Sequence, residues 1–234
     1  MDRRRLICAL IVSTLIAAAL AAAFFLLVDS TQGAAGPPET DYLNMEVRDE
    51  PHTFVFNYQK DMQYPELPTG CEATAVSTLL RMHGYNASKT EVADAMPKSD
   101  WDFVDCFWGD PYKETGGACM SPCAAATANM FIEDGAEAVA VRSTLGELDL
   151  EGALPACVWV TINLEEPRAT RTLNGYTCYT PSHCVVVRKI ENGTVYCYDP
   201  LSGVVDYPLQ LFEKRYEQLG SQAVYINHDA KGDG

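Results

Sequence analysis

Cys71 is the candidate nucleophile, because the sequence places it at the start of a predicted helix. Apolar side chains recur at helical spacing over residues 71–83 and Gly84 follows, so the pattern predicts a helix that Cys71 opens. Backbone N–H groups and the helix dipole at that end stabilise a thiolate, the nucleophilic form of cysteine. Gly70 leaves room for a substrate backbone to come close. The alternative interpretation is a buried structural cysteine or one half of a disulfide.

His183 is the histidine best placed to take the proton of that thiol. It begins an apolar run that predicts a buried strand, and a histidine at the head of such a strand can face a helix N-terminus. His83 lies on the same predicted helix as Cys71, about three turns away and too far to reach it. His52 and His228 lie in the spacer and near the tail. The alternative for His183 is an ordinary core or surface histidine.

Asp199 ends the next predicted strand and is the candidate for orienting the histidine. A loop over residues 189–193 would place His183 directly opposite Asp199, on one face of an antiparallel pair. A tight turn at Asn192-Gly193 would shift the register and move Asp199 to the other face. The mechanism therefore predicts the longer loop. The alternative is an aspartate that initiates a turn before a proline.

Gln63 is the candidate for stabilising negative charge on a reacting carbonyl oxygen. It precedes Cys71 by a short segment, and a side-chain amide there, with the Cys71 backbone N–H, would form an oxyanion hole. Gln59 is a nearby competitor for this role, and the sequence favours Gln63 only slightly.

The elements that must position these residues indicate an α+β domain, with helices first and an antiparallel sheet second. A weakly alternating edge strand is predicted at residues 53–58. Further helices are predicted at 90–96, 121–134 and 209–216. Strands are predicted at 157–162, 184–190, 195–198 and 223–226.

The order of these motifs resembles the bacterial cysteine peptidases similar to bacteriocin double-glycine-leader peptidases. The segment from Gln63 to Gly84, with its PELPTGCEATA core, carries most of the resemblance. Weaker matches are FWGDPY at 107–112, Gly116-Gly117, SHCV at 182–185, YDP at 198–200 and GSQAV at 220–224. The resemblance covers residues 53–228 and implies a papain-like fold. It also implies that Cys71 is the nucleophile, His183 the base, Asp199 the orienting group and Gln63 the oxyanion donor.

Two departures separate this sequence from the exporter-linked leader peptidases. Those enzymes work on the cytoplasmic side of the membrane, whereas the charge pattern here predicts an exported domain. They also tend to have glycine after the nucleophile, where this chain has Glu72. We therefore do not expect leader cleavage after a double glycine to be the task of this protein.

Residues 6–28 predict a transmembrane signal-anchor. They are uncharged, they follow three arginines at positions 3–5, and at about 1.5 Å per residue they span a bilayer of about 30 Å. The arginines are expected to stay in the cytoplasm and the rest of the chain to be exported. The alternative is a cleaved signal peptide, which would leave a secreted protein.

Charge and cysteine content limit the partners. The formal net charge of −15 repels phosphate backbones, so no nucleic-acid partner is expected. Export permits disulfides, and the first suggestion is Cys106 with Cys119 or Cys123. The spacing of Cys119 and Cys123 lacks a matching second pair, so no zinc site is predicted, and no cofactor is required.

The sequence thus predicts a membrane-anchored, extracytoplasmic cysteine peptidase that cleaves peptide or protein substrates. The alternatives are a catalytically silent domain that binds peptide or cell-wall material, and an amide transferase with the same triad. The predicted parts are a cytoplasmic tail at 1–5, the anchor at 6–28, a flexible spacer at 29–52, the peptidase domain at 53–228 and a tail at 229–234.

Overall fold

The computed structural model describes residues 45–46, 54–58 and 60–229, all within one unit that spans residues 42–234. The predicted cytoplasmic tail, the anchor at 6–28, most of the spacer and Gln59 lie outside the described residues, as do residues 230–234. Within the described ranges, no helix has the length and apolar character needed to cross a bilayer.

Among the described residues, five α-helices follow local sequence signals. They are α1 (Cys71–Met82), α2 (Lys89–Ala95), α3 (Ser121–Ala128), α4 (Leu145–Leu150) and α5 (Leu209–Gln218). Capping boxes begin α2 at Ser88 and α4 at Thr144, and a proline in the first turn begins α3. Short 3-10 turns occupy Asn129–Phe131 and Ile162–Leu164.

Helix α3 ends earlier than the predicted 121–134. The side chain of Asn129 accepts a hydrogen bond from the backbone N–H of Ala138 and donates one to its carbonyl oxygen. These bonds tie the end of α3 to the strand that contains Ala138, so the chain leaves the helix there.

The strands in the described part of the chain form one large sheet and three small ones. They are β1 (Met45–Glu46), β2 (Val55–Phe56), β3 (Lys98–Ser99), β4 (Phe107–Gly109), β5 (Gly117–Ala118), β6 (Glu137–Arg142), β7 (Ala156–Thr161), β8 (Arg168–Leu173), β9 (Tyr176–Thr180), β10 (Ser182–Glu191), β11 (Thr194–Asp199), β12 (Gly203–Pro208) and β13 (Gln222–Asn227). The large sheet is antiparallel with the order β12-β11-β10-β7-β13-β6, which confirms the predicted α+β class with an antiparallel sheet. Strands β1 and β2 pair, β3, β4 and β5 form a three-stranded sheet, and β8 and β9 form a hairpin.

The core lies on both faces of the large sheet. On one face, Trp159 and Val186 pack with residues of α1, α2 and α3. On the other face, Val158 and Val185 pack with residues of α4 and α5. Strand β7 is buried along its whole length because both of its faces are covered. The strand that carries His183 is paired with β7 on one side and with β11 on the other, so its position is fixed from both edges.

The predicted loop at 189–193 is wrong. Glu191 pairs with Thr194, so β10 and β11 are joined by the two-residue turn Asn192-Gly193. Both turn residues have positive φ, 51° and 77°, as a hairpin turn matched to the strand twist requires.

A bulge between Val187 and Lys189 corrects the register that this tight turn would otherwise impose. After the bulge, Val187 pairs with Cys197 and Val186 with Tyr198. The same register places Asp199 beside Val185, two residues along the strand from His183. His183 and Asp199 therefore share a face as predicted, but as diagonal neighbours and not as a directly opposed pair.

Candidate active site

Cys71 is the first residue of α1, as predicted, and is buried with 8% of its surface exposed. The turn before Cys71 is so crowded that only glycine fits at position 70. A Cβ on Gly70 would lie 2.7 Å from the Cβ of Leu67. The Gly70 carbonyl oxygen accepts the first helical hydrogen bond, from the N–H of Thr74, at 3.0 Å. The sulfur is thereby held at the start of the helix.

The surroundings of Cys71 favour the protonated thiol over the thiolate. Burial raises its pKa well above the ordinary value, and the neighbouring carboxyl of Glu72 raises it further. Backbone contacts from Cys184 and Glu72 act in the opposite direction and are weaker. The helix N-terminus alone therefore does not produce the thiolate that the sequence led us to expect. The thiol instead donates a hydrogen bond to Oε2 of Glu72 at 3.1 Å.

His183 lies near the start of β10, where that strand packs against α1. Its side chain is buried, and its Nε2 lies 2.8 Å from Oδ1 of Asp199. An ionised carboxylate can only accept a hydrogen bond, so Nε2 is the nitrogen that carries the hydrogen in this pair, and Nδ1 is the other ring nitrogen. The next residue, Cys184, has its backbone close enough to favour a Cys71 thiolate.

Asp199 is held by more than the histidine. Its Oδ1 also accepts the backbone N–H of Leu201 at 2.7 Å, and its Oδ2 accepts the hydroxyl of Tyr207 at 2.8 Å. Burial acts to raise the pKa of Asp199, but the hydrogen bonds from His183, Leu201 and Tyr207 outweigh it, and the pKa is lowered. The carboxylate is therefore ionised and oriented at neutral pH.

Gln63 is buried and is tied to the same region by its backbone. Its N–H donates to the carbonyl oxygen of Pro200 at 2.8 Å, directly after Asp199. Its side-chain Nε2 donates to the carbonyl oxygen of Pro68 at 2.9 Å, while Oε1 is buried without a hydrogen-bond partner among the described residues. A primary amide carries two N–H groups, so one remains for another acceptor.

A cleft of about 380 Å³ runs beside these residues. Gln63 and His183 line it on the side of the helix and the large sheet. Its other walls come from the small three-stranded sheet and the β8–β9 hairpin, with Trp108, Gly116, Gly117, Thr170, Tyr179 and Thr180 among the lining residues. A Cβ on Gly117 would lie 2.4 Å from the Phe107 ring, so this wall tolerates no larger residue there.

The suggested disulfide between Cys106 and Cys119 or Cys123 is absent from the structure. The cysteines at 71, 106, 119, 123, 157, 178, 184 and 197 are all free thiols. In the part of the chain that the structure describes, no three His, Cys, Asp or Glu side chains are grouped to hold a metal ion.

Two residues at the site were not found from the sequence. In the sequence Glu72 differs from the glycine of the related pattern, and its place beside Cys71 in the first helical turn is the one signal of a role at the site. Tyr207 comes from β12, and only the pairing of β12 with β11 brings its hydroxyl to Asp199. No local motif marks it.

Comparison with known proteins identifies the family. The model of the Peptidase_C39 like family matches residues 52–224. The crystal structure described as a C39-like peptidase from Bacillus anthracis is 24% identical, covers 70% of this chain and 92% of its own, and has a TM-score of 0.63. No curated protein sequence matches the chain.

Two transporter-linked proteases also align. A double glycine motif protease from an AMS/PCAT transporter, solved with its leader peptide, is 17% identical over 71% of this chain and 88% of its own, with a TM-score of 0.46. The peptidase domain of Streptococcus ComA is 12% identical over 68% and 90% of the two chains, with a TM-score of 0.45. The family match spans most of the chain and includes all the candidate residues, so this chain belongs to the Peptidase_C39 like family and is a cysteine peptidase.

Proposed function

We propose that this protein is a membrane-anchored, extracytoplasmic cysteine peptidase that hydrolyses peptide bonds with Cys71, His183 and Asp199, assisted by Gln63. The observation that carries the proposal is the buried 2.8 Å hydrogen bond between His183 and Asp199, on the strand that packs against the helix opened by Cys71. A histidine oriented by a carboxylate beside a cysteine at a helix N-terminus is the arrangement that activates a thiol.

The reaction starts from a neutral thiol and a neutral imidazole. Nδ1 of His183 takes the proton of Cys71 as the sulfur attacks the carbonyl carbon of the substrate amide. Asp199 accepts the hydrogen bond of Nε2 and stabilises the imidazolium that forms. His183 then protonates the leaving amine, and water attacks the thioester that remains. Its proton returns through His183, and the thiol is restored.

Gln63 is proposed to stabilise the tetrahedral oxyanion. Its side-chain nitrogen uses one N–H for the carbonyl oxygen of Pro68, which fixes the amide, and the second N–H can meet the oxyanion together with the backbone N–H of Cys71. The buried position of Gln63 at the edge of the cleft supports this role, because donors in a site with little water contribute most to such stabilisation.

The proposed membrane location rests on the sequence alone. Three arginines before the uncharged residues 6–28 favour an anchor with its basic end in the cytoplasm, so that the peptidase domain is outside. A fractionation experiment tests this. The full-length protein should remain with the membrane after a high-salt wash, and intact cells should expose its domain to added protease. Recovery of the whole chain from the cytoplasm would contradict the location.

Cleavage of a peptide library by the full-length protein tests the activity, with Cys71→Ala as the control. The wild-type protein should release defined fragments and the variant none. Equal cleavage by both proteins would remove Cys71 from the mechanism. Added amines would give new amide products if the thioester were passed to an amine in place of water.

A further inference from the structure

Glu72 is a buried carboxyl that the mechanism above does not use. Only 1% of its surface is exposed, and Asp and Glu are rarely buried this far without a cationic partner. Its Oε1 accepts the backbone N–H of Cys119 at 3.2 Å, and its Oε2 accepts the Cys71 thiol at 3.1 Å. One side chain therefore touches both the reacting sulfur and the segment that follows the glycine wall of the cleft.

We propose that Glu72 is a further catalytic residue, whose protonated carboxyl donates a hydrogen bond to the Cys71 thiolate and whose ionised form keeps Cys71 a thiol. The proposal rests on the proposed role of Cys71 as the nucleophile. It makes the reactivity of the sulfur depend on the proton of a neighbouring acid.

The position of that proton is fixed by Cys119. A backbone N–H can only donate, and the carbonyl oxygen of a neutral carboxyl accepts better than its hydroxyl oxygen, so the contact from the Cys119 N–H favours an Oε1 without a hydrogen. When Glu72 is neutral, its hydrogen is therefore on Oε2 and faces the Cys71 sulfur. The same contact reverses direction with ionisation. The thiol donates to a carboxylate, and the acid donates to a thiolate.

Titratable groups surround Glu72 on every element that packs against it. They are the thiols of Cys71 on α1, Cys119 before α3, Cys178 on β9 and Cys184 on β10, and the imidazole of His183. Of these groups, His183 alone can become positive. Burial raises the pKa of Glu72, and hydrogen bonds from Cys71 and Cys119 and the charge of His183 only partly offset it. The neutral acid is thus favoured relative to an exposed glutamate.

Charge balance favours the same form during the reaction. With Glu72 ionised, a thiolate at Cys71 would place two negative charges in direct contact, in a site already holding ionised Asp199. An ionised Glu72 would also favour an imidazolium at His183, but its direct contact is with the sulfur. With Glu72 neutral, the thiol proton moves to Nδ1 of His183 and the carboxyl keeps its own proton. No proton is gained or lost at Glu72 over the cycle.

The test is the pH dependence of Cys71 alkylation by iodoacetamide, followed by mass spectrometry of the peptide that contains Cys71. In Glu72→Gln the Cys119 N–H retains an oxygen acceptor, which directs the amide N–H groups towards the sulfur. In the resting contact the thiol donates to Oε2 of Glu72, as it does to a carboxylate, and Glu72→Gln removes that charge. Alkylation at neutral pH should therefore rise about tenfold or more, the equivalent of lowering the apparent pKa of Cys71 by about one unit. Glu72→Met, which removes the charge without adding a donor, should give a smaller rise. Glu217→Gln, the same change at an exposed position of α5, should leave the profile unchanged.

The alternative is that Glu72 only holds α1 to Cys119 through the hydrogen bond to Oε1. Glu72→Gln keeps that hydrogen bond, so its pH dependence of Cys71 alkylation would then equal that of the wild type. That result, or slower alkylation in a variant whose circular dichroism is native, would overturn the proposal. If Glu72→Gln does not fold, Glu72→Met is the test. A rate of Cys71 alkylation in Glu72→Met that is no higher than in the wild type would reject the proposal.

Peptide cleavage separates this inference from the proposed function. If Cys71→Ala abolishes cleavage while Glu72→Gln alkylates like the wild type, only the role of Glu72 fails. If Cys71→Ala cleaves like the wild type, the proposed function fails, and the role of Glu72 fails with it.

Discussion

His183 and Asp199 are diagonal neighbours on adjacent antiparallel strands, joined by a 2.8 Å hydrogen bond. A tight turn at one end of the hairpin and a one-residue bulge in its middle together bring them to the same face. The turn alone would separate them, because side chains alternate between faces along a strand. At the present length of the strand, the bulge is therefore as necessary to the pair as either side chain.

Replacing Asp199 should lower the rate of cleavage without abolishing substrate binding. We expect Asp199→Ala to reduce kcat by about 10²–10⁴-fold, because the imidazole loses its orientation and the stabilisation of its charge. Asp199→Asn should cost less, since an amide oxygen can still accept the Nε2 hydrogen. Asp206→Asn, at an exposed position of the neighbouring strand, is the matched control. An unchanged kcat in Asp199→Ala would show that His183 does not need the carboxylate.

The same carboxylate should make stability depend on pH in acid. The pKa of Asp199 is lower in the folded state than its ordinary value of about 3.9, so its stabilising contribution is present above about pH 4 and is lost as the pH falls through the folded pKa. The Tm of the wild type should exceed that of Asp199→Asn near pH 7, and the gap should narrow towards about pH 2. A gap of constant size across this range would assign the effect of the variant to shape and not to charge.

Gln63 should act on the chemical step. We expect Gln63→Ala to lower kcat by about 10²–10³-fold with a much smaller change in KM, as for the loss of one oxyanion donor. Gln210→Ala, at an exposed position of α5, controls for a general effect of removing an amide. A change confined to KM would instead make Gln63 a substrate-binding residue.

The bulge in β10 can be removed directly. Deleting Arg188 removes the extra residue of the bulge, so the ladder from the tight turn becomes regular and His183 and Asp199 keep their shared face. This variant should retain most activity. Deleting Lys189 as well should lower activity by at least about 10³-fold, because the tight turn then shifts the pairing by one residue and moves Asp199 to the other face. Circular dichroism and Tm of both deletions show whether the hairpin shifts or the protein unfolds. Wild-type activity in the double deletion would mean that the turn can rearrange to compensate.

Much of this site could be predicted because its signals are local. Glycine and polar residues mark the ends of α1, and the apolar run after His183 marks β10. The bulge at Arg188 has no such mark, since a residue that leaves the hydrogen-bonding ladder looks in sequence like any other strand residue. The predicted loop was wrong for this reason. The sequence contains the turn signal Asn192-Gly193, but a direct pairing of His183 with Asp199 requires the longer loop.

Other features depend on contacts between distant parts of the chain. Strands β8 and β9 are rich in threonine, β8 is exposed along much of its length and β9 is mostly half-buried, so they lack the apolar alternation that predicts strands. The burial of Glu72 requires α1, the segment at Cys119 and β10 to meet around it, and charged residues are normally exposed. Neither feature can be derived from the types of neighbouring residues.

The β8–β9 hairpin pairs only within itself among the described strands, yet it forms one wall of the cleft. The triad candidates sit instead on α1 and on two inner strands of the six-stranded sheet. Sequence drift in the hairpin can therefore reshape what enters the cleft without disturbing the register that joins His183 to Asp199. Substitutions in the β8–β9 hairpin are therefore tolerated more easily than substitutions in α1, β10 and β11. We expect related chains to diverge fastest in residues 168–180.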